Sequence, residues 1–270
     1  MVNQMKKQLL KRFVELTGNR YASALLRRIS SSRLSRTLIP VYSKTYKIDE
    51  SEIEHPQESY GSLQAYFTRR LHPDARPFDA APDVLVSPAD GCVSSFGRVK
   101  DGHEFTIKGH TYSINQIFMD EKRASAYKDG CYFVFYLSPA DYHHFHYPAD
   151  GTVTCRYALG TASYPVNDLG LTHGDRPFET NYRLITELTA QYDKVALVKV
   201  GALNVNSVQL YSSDKTAKKG EDFGYFSFGS TILLFVAGDT PFAPSLVSPG
   251  AVRTGETIGR WHVQEDSSKN

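Results

Sequence analysis

The spacing of apolar residues changes character along the chain. In residues 5–16, Met5, Leu9, Phe13 and Leu16 recur at helical spacing with Leu10 and Val14 beside them. Lys6, Lys7, Lys11 and Arg12 take other positions, and Gly18 stops the pattern. A second helical set, Tyr21, Ala22, Leu25, Leu26 and Ile29, covers about 20–30, with Arg27 and Arg28 near its end. Ser32 reads as the cap of a third turn that holds Leu34 and Leu38 and that Pro40 closes. Residues 61–71 predict a further helix in which Leu63, Phe67 and Leu71 share a face and Pro73 ends it. The proline-rich stretch 73–82 is a connector.

From residue 84 the pattern is β. Val84 to Val86 reads as a short strand, Phe105 and Ile107 alternate with polar residues, and Tyr132 to Leu137 is a continuous apolar run. Val153, Cys155 and Tyr157 alternate; Val195 to Val200 and Ile232 to Val236 are further apolar runs. Gly, Pro and Asp punctuate them, and no long helix pattern falls between 130 and 260. The chain is therefore expected to be α+β: a mainly antiparallel β core, sandwich or barrel-like, preceded by N-terminal amphipathic helices. The expected divisions are a basic helical arm at 1–48, a helical connector at 49–82, a β-rich domain at 83–263 and a disordered tail at 264–270.

The 270 residues, 41% hydrophobic and 22% charged, suffice for a sizeable core. No apolar run approaches the roughly 18–20 residues of a membrane span. The N-terminus lacks the apolar stretch and small-residue cleavage site of a secretory signal. Cys92, Cys131 and Cys155 are too few and too scattered for a disulfide framework or a zinc site, and all three readings point to the cytosol. The net charge of +2 hides an asymmetry. Residues 1–48 hold eleven Lys or Arg and one acid, a balance of +10, and the remaining 20 basic and 28 acidic residues give −8. A basic amphipathic arm on an acidic body fits a helix lying on an anionic membrane surface; the alternative is helices packed on the body with their charges in solvent. No nucleic-acid partner is expected.

Three features carry candidate chemistry. Gly229-Ser230-Thr231 opens the run Ile232 to Val236, so Ser230 sits where a turn meets a buried strand. Gly229 leaves the preceding peptide sterically open. Tyr142-His143-His144-Phe145-His146-Tyr147 places three of the nine histidines within four residues. In an extended segment His144 and His146 share a face; in a tight turn His143 and His146 converge. No Cys pair or His-Glu-x-x-His string supplies further ligands, so no metal is assigned. A turn string recurs at 87–91, 138–141 and 148–151, supplying Asp90, Asp141 and Asp150. A serine becomes a nucleophile when a histidine takes its proton and an acid orients that histidine. Residue types alone do not select the aspartate, nor decide whether Ser230 attacks a substrate or its own backbone. The lack of a Gly-x-Ser-x-Gly elbow argues against an ordinary serine hydrolase.

Several strings in order resemble the phosphatidylserine decarboxylases, self-cleaving pyruvoyl enzymes. They are Tyr66-Phe67-Thr68-Arg69-Arg70-Leu71 with Ala75-Arg76-Pro77; Ser87-Pro88-Ala89-Asp90-Gly91; and Ile107 to Ile114. Tyr136 to His143 with His146 and Pro148, then Tyr164-Pro165-Val166-Asn167, continue the match, which Lys219-Gly220-Glu221 carries on to Phe228-Gly229-Ser230-Thr231. The resemblance covers most of 40–262. It departs at Asn181-Tyr182-Arg183, where Asn-Glu-Arg is expected, and at Asn206, where many members have Gly.

The resemblance implies that Asp90, His146 and Ser230 form a charge-relay set for cleavage between Gly229 and Ser230. Ester formation, elimination to dehydroalanine and hydrolysis would leave a pyruvoyl group on the 230–270 chain, with the 1–229 chain still bound. That group would form a Schiff base with the amine of phosphatidylserine and act as electron sink after loss of carbon dioxide. His143 is implied as the acid that returns a proton, giving phosphatidylethanolamine. A homodimer, peripheral on the cytoplasmic side of the cell membrane, is also implied. Two other readings remain open: an uncleaved, non-enzymatic membrane-docked β-domain, or a pyruvoyl decarboxylase of another amine.

Overall fold

The computed structural model describes residues 25, 27–100, 104–107, 109–166, 168–202, 207–211, 213–227 and 230–262. The helix expected over 5–16, most of that expected over 20–30, Asn206, Gly229 and the tail 264–270 lie outside the described residues.

Alternating and continuous apolar runs become strands in chain order. The first six are β1 (Val84–Val86), β2 (Gly91–Arg98), β3 (Glu104–Ile107), β4 (His110–Ser113), β5 (Cys131–Leu137) and β6 (His144–His146). The next five are β7 (Gly151–Leu159), β8 (Arg183–Ala190), β9 (Lys194–Gly201), β10 (Val208–Leu210) and β11 (Thr216–Ala217). The last five are β12 (Asp222–Phe226), β13 (Ser230–Val236), β14 (Phe242–Pro244), β15 (Gly250–Val252) and β16 (Thr257–Trp261). An antiparallel sheet of eight runs in the order β11-β7-β8-β9-β13-β5-β2-β15, flanked by β1-β16-β14 and β10-β12-β6. The arrangement is sandwich-like, with no closed barrel among the described residues.

Strand β13 lies between β5 and β9 and is buried at every position. Successive strand residues face opposite sides of a sheet. Ile232, Leu234 and Val236 accordingly join Phe133, Phe135, Val195 and Leu197 in one core, while Leu233 and Phe235 join Val134, Ala196 and Val198 in the other. Both faces are covered, so these strands read as unbroken apolar runs rather than alternating ones. At the start of β2, Gly91 has φ +147°, and a Cβ there would lie 2.4 Å from the Tyr136 carbonyl oxygen. Only glycine lets the 87–91 turn press this closely onto β5.

The N-terminal segment differs from expectation in two places. Pro40 does not close a turn. It sits in the first turn of the helix Ile39–Tyr46, where its missing N–H has no intrahelical acceptor to lose. The helix expected over 61–71 is only Leu63–Phe67, capped by the Ser62 side chain on the Ala65 N–H. The chain beyond it finds other backbone partners: Glu54 N donates to Arg70 O at 3.0 Å and His72 N to Glu52 O at 2.9 Å, and Leu71 bridges Ile53. Ile39, Ile53 and Tyr66 form a small core of their own. Between 130 and 260 the described helices are short, Asp168–His173 and Pro177–Thr180.

Leu234 is fully buried in the middle strand. Leu234→Ala is expected to lower the unfolding free energy by about 2–5 kcal/mol, read from urea unfolding of an otherwise identical Ser230→Ala chain. A loss below about 0.5 kcal/mol, the range of surface substitutions, would contradict a middle strand buried on both faces.

Candidate active site

Ser230 is the first residue of β13, opposite Leu137 of β5 and Gly201 of β9. It is fully buried and its Oγ has no hydrogen-bond partner among the described residues. An unpaired buried hydroxyl is costly, so it calls for an explanation.

The three clustered histidines have distinct surroundings. Nδ1 of His144 lies 2.8 Å from Asp222 Oδ2 and 3.0 Å from the Tyr211 hydroxyl, and its Nε2 lies 3.1 Å from Thr68 O. With both nitrogens engaged and Tyr142 stacked on its ring at 4.7 Å, His144 is a structural residue. His143 is fully buried against Phe67, with Nδ1 2.9 Å from Asp141 O. Nδ1 of His146 lies 2.8 Å from Gly220 O. A carbonyl only accepts, so in each neutral ring Nδ1 carries the proton and Nε2 keeps its lone pair. Both Nε2 atoms are buried and without partner among the described residues. Burial pushes the His143 imidazole down to about 3 and lowers that of His146 as well.

The extended form of the segment is the one realised: the Tyr142 ring contacts both His144 and His146. Strand register orders the two unpartnered histidines along β12. Asp222 pairs with His146 and Tyr225 with His144, while Phe226 N donates to His143 O at 2.9 Å. His143 thus flanks the end of β12 that leads toward Ser230. His146 lies three residues further back, about 10 Å at roughly 3.3 Å per residue.

The carboxylates also separate. Arg76 grips Asp90 through Nε, at 2.8 and 3.1 Å, and through Nη2, at 2.5 Å. Thr254 adds its N–H and hydroxyl, both at 2.9 Å. No hydrogen bond joins Asp90 to His146 or to Ser230 among the described residues. The backbones are nonetheless adjacent, because His146 N donates to Pro88 O at 2.8 Å, and the negative charge of Asp90 favours the protonated form of both His143 and His146. Asp141 accepts from Ser138 N at 2.6 Å and Asp150 from Lys219 N at 2.9 Å, which are turn roles.

Two cavities meet here. One, of about 400 Å³, is lined by Asp90, Arg69, Asp141 and Tyr142 among others; the second, of about 260 Å³, by His146, Gly220, Arg70 and Phe78. Leu71, Arg76 and Tyr142 line both. Arg69 and Arg76 lay within the matching strings but received no role from residue types. The available signal was an arginine directly after the apolar helix of Tyr66 and Phe67, where a charge needs a specific partner. Lys199, fully buried with Nζ 2.5 Å from Thr186 Oγ1 and close to Phe145 and Phe223, carried no sequence signal.

Comparison with known proteins bears on this geometry. The family model described as phosphatidylserine decarboxylase matches residues 63–260. A protein of Geobacillus kaustophilus named phosphatidylserine decarboxylase proenzyme is 43% identical over 258 residues, which is 95% of this chain and 98% of the relative. Proteins of the same name from Bacillus mycoides and Halalkalibacterium halodurans are 42% and 39% identical, over 94% and 95% of this chain and 97% and 99% of theirs.

The buried histidines give a pH prediction. An unfolded histidine binds a proton below about pH 6.5, whereas folded His143 stays neutral down to about 3. Between these values the unfolded state binds more protons, so stability is full above about 6.5 and falls as pH drops. The slope approaches about 1.4 kcal/mol per pH unit for each such group. Urea unfolding of a Ser230→Ala chain at pH 7, 6 and 5 should show it, and adding His143→Gln should make the dependence shallower. Equal slopes in the two chains would contradict a buried, neutral His143.

Proposed function

The chain belongs to the phosphatidylserine decarboxylase family, and from that premise we propose how its own residues perform the reaction. It is a carboxy-lyase, converting phosphatidylserine to phosphatidylethanolamine, and its relatives are named as proenzymes. The observation that carries the residue assignment is a set of three buried polar atoms without partners among the described residues: Ser230 Oγ, His143 Nε2 and His146 Nε2.

In this reading the chain first cuts itself between Gly229 and Ser230. The resemblance assigns the base to His146, and the Nδ1–H bond to Gly220 O leaves its Nε2 lone pair free for that task. Ser230 Oγ loses its proton, which the resemblance sends to His146 although strand register sets His143 nearer the Ser230 end, and adds to the Gly229 carbonyl carbon. The C–N bond breaks, the Ser230 nitrogen takes the proton, and an ester remains. Loss of the Ser230 α-proton expels the Gly229 carboxylate and leaves a dehydroalanine. Water then releases ammonia, and a pyruvoyl group heads the 230–270 chain. Asp90 acts through its charge, favouring the imidazolium that His146 becomes. Arg76 and Thr254 hold that carboxylate in place.

The residues present fit such a group: the position of Ser230 is enclosed, and His143 and His146 each keep an Nε2 that no described residue bonds. When formed, it supplies a ketone that takes up the substrate amine and draws off the electron pair left by departing carbon dioxide. His143, at the Ser230 end of β12, returns the proton to the substrate α-carbon. It first has to acquire one, and water is the source that balances the step, since carbon dioxide leaves without a proton.

Substrate lies in a bilayer, and we assign residues 1–48 as the membrane arm, 49–82 as its connector and 83–263 as the catalytic unit. Leu25, Ile29, Leu34, Leu38 and Val41 are exposed, between half and more than four-fifths of each surface. Exposed Arg27, Arg28, Arg33 and Arg36 surround them. Apolar side chains among cations suit an anionic lipid surface. No described helix is long and apolar enough to cross a membrane, in keeping with peripheral binding, which we place on the cytoplasmic side. The working unit is taken to be a homodimer of cleaved protomers on the strength of the resemblance.

Four variants test the assignment by a denaturing gel run beside release of labelled carbon dioxide from phosphatidylserine. Asp90→Asn and His146→Ala are expected to stay whole. Asp150→Asn should cleave. His143→Ala should cleave and then lose about 10²–10⁴ in decarboxylation rate, the usual effect of removing a positioned proton donor. An uncleaved His143→Ala chain would merge the two histidine roles and overturn the division proposed.

The arm has its own test. A chain lacking residues 1–30 should sediment less with anionic vesicles than the full chain. Salt should weaken the binding of the full chain as the Debye length shortens from about 10 Å at 0.1 M to about 3 Å at 1 M. Unchanged vesicle binding by the folded, truncated protein would return these helices to a packing role.

A further inference from the structure

Arg69 is 3% exposed, yet its Nε and Nη1 have no hydrogen-bond partner among the described residues. Only Nη2 is used, donating to Ala140 O at 2.7 Å and Asp141 O at 3.1 Å. The Tyr66 ring lies 5.6 Å from the guanidinium carbon, a contact of the cation with a ring face that leaves the remaining N–H groups unsatisfied. An unpaired buried charge costs several kcal/mol, and two orphaned donors on it add to that cost.

Five acids, Asp49, Glu52, Asp90, Asp141 and Glu256, line its cavity; Asp49 accepts from Ser51, and three more are committed elsewhere. Arg69 lines the larger cavity together with Asp90, Glu52 and Asp141. Asp90 is paired with Arg76, and Glu52 with Arg76 and Arg253. The Asp141 carboxylate is turned to Ser138 N. Arg69 is the guanidinium of this cavity left without a carboxylate among the described residues, and its two uncommitted nitrogens, Nε and Nη1, lie on different edges of the plane, so each would donate singly to an anion's oxygen.

Its place in the fold ties it to the reacting end of the molecule. The carbonyls it holds belong to the turn 138–141, which follows Leu137, the residue paired with Ser230, and precedes His143. A ligand anchored on Arg69 would therefore rest against the turn, Ala140 to Tyr142, that joins the strand paired with Ser230 to His143.

We propose that Arg69, lining this cavity with Nε and Nη1 uncommitted, is the anchor for the phosphodiester of the lipid headgroup. The proposal rests on the decarboxylase reading above. The headgroup carries two anions, and chemistry chooses between them. The carboxylate must surrender its charge as carbon dioxide, so an arginine holding it would stabilise the ground state more than the transition state. The phosphodiester keeps its charge throughout, and a fixed cation can hold it without opposing the reaction.

The test compares two substrates in the same mixed micelles: phosphatidylserine, and an O-acylserine that lacks the phosphate. In Arg69→Gln, kcat/KM for phosphatidylserine should fall about 10–100-fold, the worth of a charge-assisted pair, chiefly through KM. The O-acylserine should react as with the unaltered enzyme. Arg69→Lys should lie between, and it replaces the glutamine variant should that chain fail to fold or cleave. Equal losses on both substrates would overturn the proposal, leaving Arg69 a prop for the 138–141 turn.

A second readout needs no turnover. Titration of sn-glycero-3-phosphocholine and, separately, of inorganic phosphate into the unaltered and variant proteins by calorimetry should show the diester bound and the variant weakened at least tenfold. Binding of inorganic phosphate alone, or of neither probe, would contradict a headgroup site. Absence of carbon dioxide release by the unaltered enzyme from both substrates would sink the decarboxylase reading, while the titrations would still judge Arg69.

Discussion

The constraint on which the structure depends is that β13 begins at Ser230 and lies between β5 and β9, buried on both faces. Backbone ladders on either side and side chains in two cores hold it. A chain that is to break at 229/230 must keep its parts together afterwards, and these ladders join residues 231–236 to β5 and β9, which lie on the other side of the cut. Asp90 adds a polar tie across the proposed cut, since Thr254 bonds to it from the far side. The same enclosure makes a lone serine hydroxyl expensive, and it is this cost that the proposed chemistry explains.

Around Ser230, backbone carbonyls do much of the orienting. Asp141 O and Gly220 O fix the tautomers of His143 and His146, leaving one free nitrogen on each. Low local polarity keeps both rings neutral and therefore able to accept a proton. The turn that leads to His143 is gripped from outside by the N-terminal part: the Tyr42 hydroxyl donates to Pro139 O at 2.5 Å, and Arg69 holds the next two carbonyls. Tyr42 sits on the helix Ile39–Tyr46, whose neighbour Val41 is exposed. The proposed membrane-facing surface and the proposed proton donor are thus a few contacts apart.

The β core was legible because burial on two faces leaves unbroken apolar runs such as 132–137 and 232–236, and because Gly, Pro and Asp mark the turns between them. Ser230 was legible as the first residue of such a run. The choice among His143, His144 and His146 was not, since it depends on carbonyls and on Asp222, Tyr211 and Thr68, distant in sequence. The pairing of Asp90 with Arg76 was hidden for the same reason. Pro40 was misread as a stop because proline signals both a helix end and a first turn, and local sequence does not separate the two. The helix over 61–71 was overextended because 52–54 supplies alternative backbone partners to 70–72. Arg69 was present in a matching string, but its orphaned donors exist only in three dimensions.

The central claim is that the chain becomes two, with Ser230 chemically converted. Intact mass spectrometry of the purified, denatured protein measures this directly. The account predicts one species of residues 1–229 ending in a free carboxylate, and one of residues 230–270 whose mass is that of a pyruvoyl rather than a seryl N-terminus. A single species with the mass of the whole chain, from protein that releases carbon dioxide from phosphatidylserine, would contradict it.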